Sequence, residues 1–259
     1  MSPTLRCMER GARPASTWSD EYREMIEFYY WEPQHLGRMK KPLSRVNSAD
    51  AAWQRVSGLE VATNHILNLY FAIVTLQVIN GDEAWATGDT YRCVAGRELE
   101  EVVRAYDGFT QPDLLFRGLS NDCAIELKTK GKTSISQVQK YATLQALTRP
   151  EKPLTLVLLT PHGDPSSAFQ EALPDLDAVH QELTHRPPLS ISAGSPSEST
   201  YRNVLAALEV RLRSYDDLYT SVRQALLAED NSIARRVHQG VLSWLTGRGL
   251  CNPGALAQE

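Results

Sequence analysis

Two short apolar runs joined by a polar turn constrain this chain more than any other feature of its sequence. The first run follows Asp113, and the second ends with Glu126 and Lys128. Both are rich in Leu, Ile and Phe and are bounded by turn residues, which predicts two neighbouring strands. Alternate residues of a strand point to the same face, so we expect Glu126 and Lys128 to share a face that Leu127 does not. Asp113 can then approach Glu126 from the adjacent strand.

The charges at this predicted strand pair are of the kinds that metal-assisted phosphodiester hydrolysis needs. The carboxylates of Asp113 and Glu126 offer the hard oxygen ligands that Mg²⁺ prefers. A cation held there polarises a phosphate and lowers the pKa of a bound water. Lys128 cannot bind a cation as an ammonium group, but it can orient the water or offset negative charge. An isolated Glu-x-Lys is more simply explained as a same-face ion pair, so the surrounding strand order decides its meaning.

The composition narrows the class of protein. A chain of 259 residues can bury a substantial core, and it has no apolar run near the ~20 residues that cross a bilayer, nor a hydrophobic signal core. The four cysteines are scattered without a Cys-x-x-Cys pair, which favours reduced, cytoplasmic thiols over disulfides or a zinc site. A net charge of -4 argues against a general nucleic-acid coat but permits a local basic surface.

Hydrophobic periodicity predicts the order helix, strand, strand, strand, helix, strand. The first helix is expected over about residues 57–79 and the first strand near 91–94. After the strand pair, a helix is expected over about 134–147 and a buried strand over 154–159. The predicted fold class is therefore α/β, an αβββαβ core with a mixed central sheet flanked by helices.

The two ends of the chain are predicted to be extensions of a core spanning residues 51–165. Residues 1–50 are expected to be irregular or helical, and an aromatic cluster at 28–31 precedes a basic stretch there. Such a pairing can stack single-stranded nucleic acid, although packing on the main body is the simpler interpretation. Residues 166–259 are expected to be a helical region packed on the core.

Three helices are predicted in the C-terminal region. The first is expected over about 166–182, and the last over about 232–245 with Gly247 as its stop. Between them, one stripe of apolar residues at helical spacing predicts a long helix: Leu205, Leu208, Leu212, Tyr215, Leu218, Val222 and Leu226. The apolar stripe of these helices leaves open that the protein forms a homo-oligomer or binds a partner in a larger complex.

Two further segments extend the pattern around the strand pair. Gln137 and Tyr141 are one helical turn apart on the next predicted helix, and residues 158–163 (Leu-Leu-Thr-Pro-His-Gly) end the following strand. With Pro-Asp and then Glu-x-Lys in this order, residues 57–163 resemble the PD-(D/E)XK nuclease superfamily, which has the restriction-endonuclease-like fold. The Gln-x-x-x-Tyr spacing is similar to that of the RecB-like branch. The iron–sulfur cysteines of some members of that branch are absent.

The resemblance implies a metal-dependent deoxyribonuclease that hydrolyses DNA phosphodiester bonds, in defence, repair or mobile-element biology. The catalytic residues that it implies are Asp113, Glu126, Lys128, Gln137 and Tyr141. Asp113, Glu126 and the backbone carbonyl of Leu127 would bind Mg²⁺ or Mn²⁺. Gln137 and Tyr141 would contact the DNA backbone or brace the lysine. Three further lysines around the site suit contacts with DNA phosphates: Lys130, Lys132 and Lys140.

Some of these residues also have structural interpretations. Glu60 resembles the extra acidic metal ligand that many superfamily members bring from the first helix, but with Ser57 it also forms a capping-box pattern. Ser134 and Gln137 form the same pattern. Tyr141 could be a core aromatic residue with its hydroxyl group bonded.

Two other functions were weighed against a nuclease. Gly131-Lys132-Thr133 lies between a strand and a helix, as in a phosphate-binding loop of an NTPase, but the glycine required five positions earlier is replaced by Glu126. The sequence therefore excludes that loop. A weak or inactive nuclease-fold module that binds nucleic acid or a protein partner stays open, and metal-dependent cleavage would separate it from an enzyme.

Overall fold

The computed structural model describes residues 17–19, 60–74, 91–94, 96–106, 109–161, 164–171, 173–191 and 194–252. The helices are α1 (Glu60–Ile73), α2 (Gly96–Ala105), α3 (Ile135–Thr148), α4 (Pro165–Ala168), α5 (Leu176–Thr184), α6 (Glu198–Ala206), α7 (Tyr215–Ala228) and α8 (Ser232–Gly247). The strands are β1 (Arg92–Val94), β2 (Leu114–Arg117), β3 (Asp122–Leu127), β4 (Leu154–Thr160) and β5 (Glu209–Ser214). Within these ranges, no helix has the length and apolar character that a membrane span requires.

The five strands form one mixed sheet in the order β1-β2-β3-β4-β5. β1, β2 and β3 are antiparallel neighbours, whereas β3, β4 and β5 run parallel. Leu114 lies opposite Ile125, so Asp113, the residue before β2, comes level with Glu126 near the end of β3. The predicted α/β class with a mixed central sheet flanked by helices is confirmed.

Helices cover both faces of the sheet and create two hydrophobic cores. On one face, α1, α7 and α8 pack on strand residues that include Ile125 and Leu127. On the other face, α3, α5 and α6 pack on strand residues that include Ala124 and Leu158. The alternation along β3 therefore follows the prediction, with Leu127 on the face opposite to that of Ala124 and Glu126.

A side-chain cap begins α3, and polar contacts join the end of α3 to β3. At the start of α3, the Ser134 hydroxyl group accepts a hydrogen bond from the backbone N–H of Gln137 at 3.2 Å and caps the helix. At the end, the Arg149 guanidinium pairs with the buried carboxylate of Asp122 at 2.8 Å, and Gln145 donates to the same carboxylate at 3.1 Å. The contacts with Asp122 set the position of the end of α3 relative to the first residue of β3.

Two sequence-based expectations are wrong before residue 185. The polar segment 96–105 was not expected to be helical, yet it forms α2, with Leu99 buried. A continuous helix over 166–182 is not present, because the chain leaves α4 to make backbone contacts with the loop before α3. Gln170 N–H donates to the Thr133 carbonyl at 2.8 Å, and the helix restarts only after the Asp175 cap.

The prediction of one long helix from the C-terminal apolar stripe is also wrong. Residues 209–214 form β5 between α6 and α7, so the sheet extends beyond the predicted core boundary at residue 165. Val210 and Leu212 are buried and Arg211 lies between them, which is the period-2 pattern of a strand. Pairing with β4 also satisfies backbone groups that a helix here would leave on an open sheet edge. The last helix agrees with prediction and ends at Gly247; Arg248 caps it, and Gly249 follows with a φ of 61°.

The contact between residues 17–19 and α8 supplies a test of packing. Trp18 donates from Nε1 to the Val237 carbonyl at 3.0 Å, and Ser19 donates to the Gly240 carbonyl at 2.7 Å. A Cβ atom at Gly240 would lie 1.7 Å from Trp18 Nε1. We expect Gly240→Ala to lower the free energy of unfolding by about 1–3 kcal/mol in urea titrations. Gly247→Ala, on the same helix with open space around it, should cause no loss; equal effects of the two would contradict this packing.

Candidate active site

Asp113 is held by donors from two different elements. Its Oδ2 accepts a hydrogen bond from the backbone N–H of Leu127 at 2.8 Å. Its Oδ1 accepts one from the Asn64 side chain of α1 at 2.6 Å. Each carboxylate oxygen has two lone pairs, so both keep one for a further partner. The Asp113 side chain is partly exposed, which leaves it accessible from outside the sheet.

Glu126 lies at the centre of a second group of contacts on the α3 side of the sheet. It is only 5% exposed, and its Oε1 accepts from Lys128 Nζ at 2.6 Å. Its Oε2 accepts a hydrogen bond from the Tyr141 hydroxyl group. Gln137 donates in turn to that hydroxyl oxygen at 3.1 Å. The structure therefore brings together Glu126, Lys128, Tyr141 and Gln137, and Tyr141, supported by Gln137, braces the glutamate.

Glu126 lies close enough to Asp113 for its negative charge to disfavour the charged form of Asp113. Burial, and then the negative charge of Glu126, raise the pKa of Asp113 from 3.8 to about 6. The hydrogen bonds from Leu127 and Asn64 and the charge of Lys128 act in the opposite direction. Burial and the neighbouring Glu126 raise the pKa of Tyr141 well above 10.0, so Tyr141 stays a hydrogen-bond donor at neutral pH.

The raised pKa of Asp113 predicts a pH-dependent stability of the metal-free protein. Between pH 3.8 and about 6 the folded state keeps a proton on Asp113 that the unfolded state releases, so this stabilisation is lost as the pH rises through that range. Relative to Asp113→Asn, the wild type should lose about 2 kcal/mol of unfolding free energy between pH 4.5 and pH 7.5. Urea titrations with a chelator present would measure it. Parallel pH profiles for the two proteins would contradict the prediction.

The donor set fits Mg²⁺ or Mn²⁺. Asp113 and Glu126 are two hard carboxylates whose repulsion a cation would relieve, and that repulsion is the second cause, after burial, of the raised pKa of Asp113. Among the described residues, no three His, Cys, Asp or Glu side chains are grouped so as to hold a metal. Two carboxylates are nevertheless sufficient for Mg²⁺, which commonly keeps several waters and takes its remaining ligands from substrate phosphates.

The other predicted site residues are placed as follows. Lys130 and Lys132 are exposed in the loop after β3, whereas Lys140 is half-buried on α3. Leu127 contributes its N–H to Asp113, and a role for its carbonyl oxygen stays a prediction. Glu60 is the first residue of α1, and its side chain lies outside the part of the chain that the structure describes, as do Ser57 and the aromatic cluster at 28–31.

Asn64 and Asn68 were missed at the sequence level. Both lie on α1 and both donate to Asp113. Asn64 donates to the carboxylate of Asp113, and Asn68 donates to the main-chain carbonyl oxygen of Asp113 at 2.8 Å. Their four-residue spacing on a largely apolar helix indicates that they share a face. That spacing alone does not reveal that the shared face meets the start of β2.

The comparisons with known proteins give no relatives for this chain. No family model matches it, and no curated protein and no solved structure is significantly similar to it. Inference about function therefore depends on the geometry of this site.

Proposed function

We propose that this protein is a metal-dependent nuclease with a restriction-endonuclease-like core, and that DNA is its substrate. The observation that carries the proposal is the meeting of Asp113 and Glu126 at the end of β3 with Lys128 hydrogen-bonded to Glu126. A bound Mg²⁺ or Mn²⁺ would supply Lewis-acid activation of the scissile phosphate and of the attacking water. The antiparallel β1-β2-β3 segment followed by a helix and the parallel strand β4 agrees with that fold.

The residues of the site divide into cation ligands and groups that hold them. Asp113 and Glu126 provide carboxylate oxygens for the cation. Tyr141, supported by Gln137, keeps the Glu126 side chain in one orientation. The Leu127 N–H does the same for Asp113, and it belongs to the sheet backbone, so this donor is fixed before any ligand arrives.

Lys128 is the group that acts on the substrate. Its Nζ lies beside Glu126, and as an ammonium group it can donate to a phosphate oxygen or to the attacking water. In the reaction, the water oxygen forms a bond to phosphorus, the bond from phosphorus to the leaving oxygen breaks, and the leaving oxygen takes up a proton. Charge on the phosphate oxygens increases during this step, and Lys128 offsets it.

The loop between β3 and α3 is suited to hold the nucleic-acid backbone. Thr133 is fixed by backbone hydrogen bonds to Ala168 at 2.7 Å and from Gln170 at 2.8 Å. The N-terminus of α3 is closed by Glu171, whose carboxylate oxygens both accept from Ile135 N–H at 3.2 Å. Lys130 and Lys132 are exposed, and the loop that bears them is fixed by these hydrogen bonds. We therefore assign the two lysines to phosphate contacts.

Cleavage assays on plasmid and single-stranded DNA test this function. We expect hydrolysis that requires Mg²⁺ or Mn²⁺, stops with chelator, and falls by at least about 100-fold in Glu126→Gln, because the variant loses a cation ligand but keeps its shape. Leu119→Ala, a change at an exposed residue of the β2–β3 turn, is the matched control and should cleave like the wild type. If DNA is bound but not cut under any metal condition, the inactive binding module is the better description.

A further inference from the structure

Two asparagines of α1 form a chain of hydrogen bonds that ends on Asp113. Asn64 Nδ2 donates to Asp113 Oδ1 at 2.6 Å. Asn68, one turn later, places its Nδ2 2.5 Å from Asn64 Oδ1 and 2.8 Å from the main-chain oxygen of Asp113. The same Nδ2 lies 3.0 Å from the Asn64 main-chain oxygen. One amide group thus contacts both the helix and the residue that precedes β2.

The contact between the two amides determines which way Asn64 faces. An amide oxygen only accepts and an amide nitrogen only donates. Because Asn68 donates to Asn64 Oδ1, the Nδ2 of Asn64 is the atom left to face Asp113. The order of donation is therefore Asn68 to Asn64 to Asp113, and each member fixes the next.

One side-chain oxygen of this arrangement is left unsatisfied within the part of the chain that the structure describes. The Oδ1 atom of Asn68 is shielded from solvent and has no hydrogen-bond partner among the residues that the structure describes. An unsatisfied buried acceptor is costly, and proteins tolerate few of them. Rotating the Asn68 amide to turn this oxygen inwards would set it against the oxygens of Asn64 and Asp113. The orientation present is the one that serves the carboxylate.

A neutral donor is the appropriate chemistry for holding a cation ligand. Asn64 orients the Asp113 carboxylate without adding a positive charge that would repel a metal ion. Lys128, in contrast, is positively charged, and it donates to Glu126 and not to Asp113 in the contacts described above. In the proposed reaction it acts on the substrate. With Leu127 N–H on the second oxygen, both oxygens of Asp113 are directed before a cation arrives, which reduces the ordering that binding requires.

We propose that Asn64 and Asn68 are positioning residues that hold the Asp113 carboxylate ready for a divalent cation, with Asn68 acting through Asn64. This inference rests on the metal site of the proposed function. It concerns the affinity of the site for the cation and makes no claim on the chemical step. Groups that orient metal ligands in this way typically change metal affinity by about 10–100-fold when removed.

Direct measurement of Mn²⁺ binding at pH 8 by calorimetry and electron paramagnetic resonance tests the proposal without any cleavage assay. Asn64→Leu should raise the Kd for Mn²⁺ about tenfold, and Asn68→Leu should raise it by a factor of about three to ten. The double variant should bind no more weakly than Asn64→Leu alone, because Asn68 acts through Asn64. Multiplying effects would overturn the chain of action, and unchanged affinities in both single variants would overturn the proposal as a whole.

Controls separate this proposal from loss of folding and from failure of the proposed function. Asn203→Leu makes the same change at an exposed position of α6 and should leave Mn²⁺ binding unaltered. If Asn64→Leu does not give a cooperative melting curve, Asn64→Ser replaces it, since the short hydroxyl group cannot reach Asp113. Mn²⁺ binding that depends on Asp113 but not on the asparagines rejects only the positioning role. A wild type that binds no Mn²⁺ rejects both.

Discussion

Lys128→Ala should lower the rate of DNA cleavage by at least about 100-fold while Mn²⁺ binding persists. In the proposed mechanism the removed ammonium group donates to the water or the phosphate, and the expected loss is of the size typical for a single donor in an active site. It is not a cation ligand, so the Kd for Mn²⁺ should stay equal or become lower once its positive charge is absent. Single-turnover cleavage and calorimetry on the same preparation measure the two quantities.

Lys152→Ala is the matched control for this change. Lys152 lies beyond the far end of α3, where its Nζ donates to the Leu119 carbonyl, and cleavage by that variant should stay within a few-fold of wild type. Loss of the ion pair with Glu126 could also weaken the fold, so melting curves accompany the assay. A stable Lys128→Ala protein with full activity would remove the lysine from the mechanism.

Asp113→Asn should abolish most of the stabilisation that the wild type gains from Mn²⁺. A cation that binds only the folded state adds about 2.7 kcal/mol when its concentration is 100 times the Kd. The variant loses a charged ligand, so its melting temperature should move little with added Mn²⁺. Without metal, relief of repulsion from Glu126 and loss of one accepted hydrogen bond oppose each other. We therefore expect the metal-free variant to be within about 1 kcal/mol of wild type at pH 7.5.

The same strand provides a control carboxylate for the metal titration. Asp122 is buried at the opposite end of β3, where it pairs with Arg149. The Asp122→Asn variant should keep the full gain in melting temperature with Mn²⁺, because residue 122 lies at the end of β3 that is away from the proposed cation. An equal Mn²⁺ response in Asp113→Asn and wild type would show that Asp113 does not bind the metal.

The sequence predicted the elements whose patterns are local. β2, β3, β4 and α3 follow from short apolar runs, turn residues and the Ser134 cap, and the alternation along β3 correctly separated Glu126 from Leu127. The sequence also predicted Gln137 and Tyr141 one turn apart on the helix after β3, but it did not predict that Tyr141 contacts Glu126, which follows from the packing of that helix on the sheet.

The failures come from patterns that fit two structures or depend on distant contacts. Leu208 and Leu212 suit a helical stripe, but Val210 and Leu212 equally suit a strand, and the unpaired edge of β4 selects the strand. The helix expected over 166–182 is interrupted by backbone contacts with Thr133. Asn64 acquires its role from Asp113, which is 49 positions away in the sequence, and no local pattern encodes that pairing.

The packing of α1 on α8 has a consequence for when the site is assembled during synthesis. The Tyr70 hydroxyl group of α1 is hydrogen-bonded to His238 Nδ1 of α8 at 2.9 Å. Trp244 Nε1 of α8 donates a hydrogen bond to Thr63 Oγ1 of α1 at 3.3 Å. Translation delivers α1 early and α8 some 170 residues later, so the helix that bears Asn64 lacks its packing partner on the ribosome until then. A nascent chain therefore has Asp113, Glu126 and Lys128 long before α8 supports the helix that orients Asp113. For the DNA nuclease proposed here, a chain still on the ribosome would therefore hold a divalent cation, and cleave DNA, less well than the finished protein.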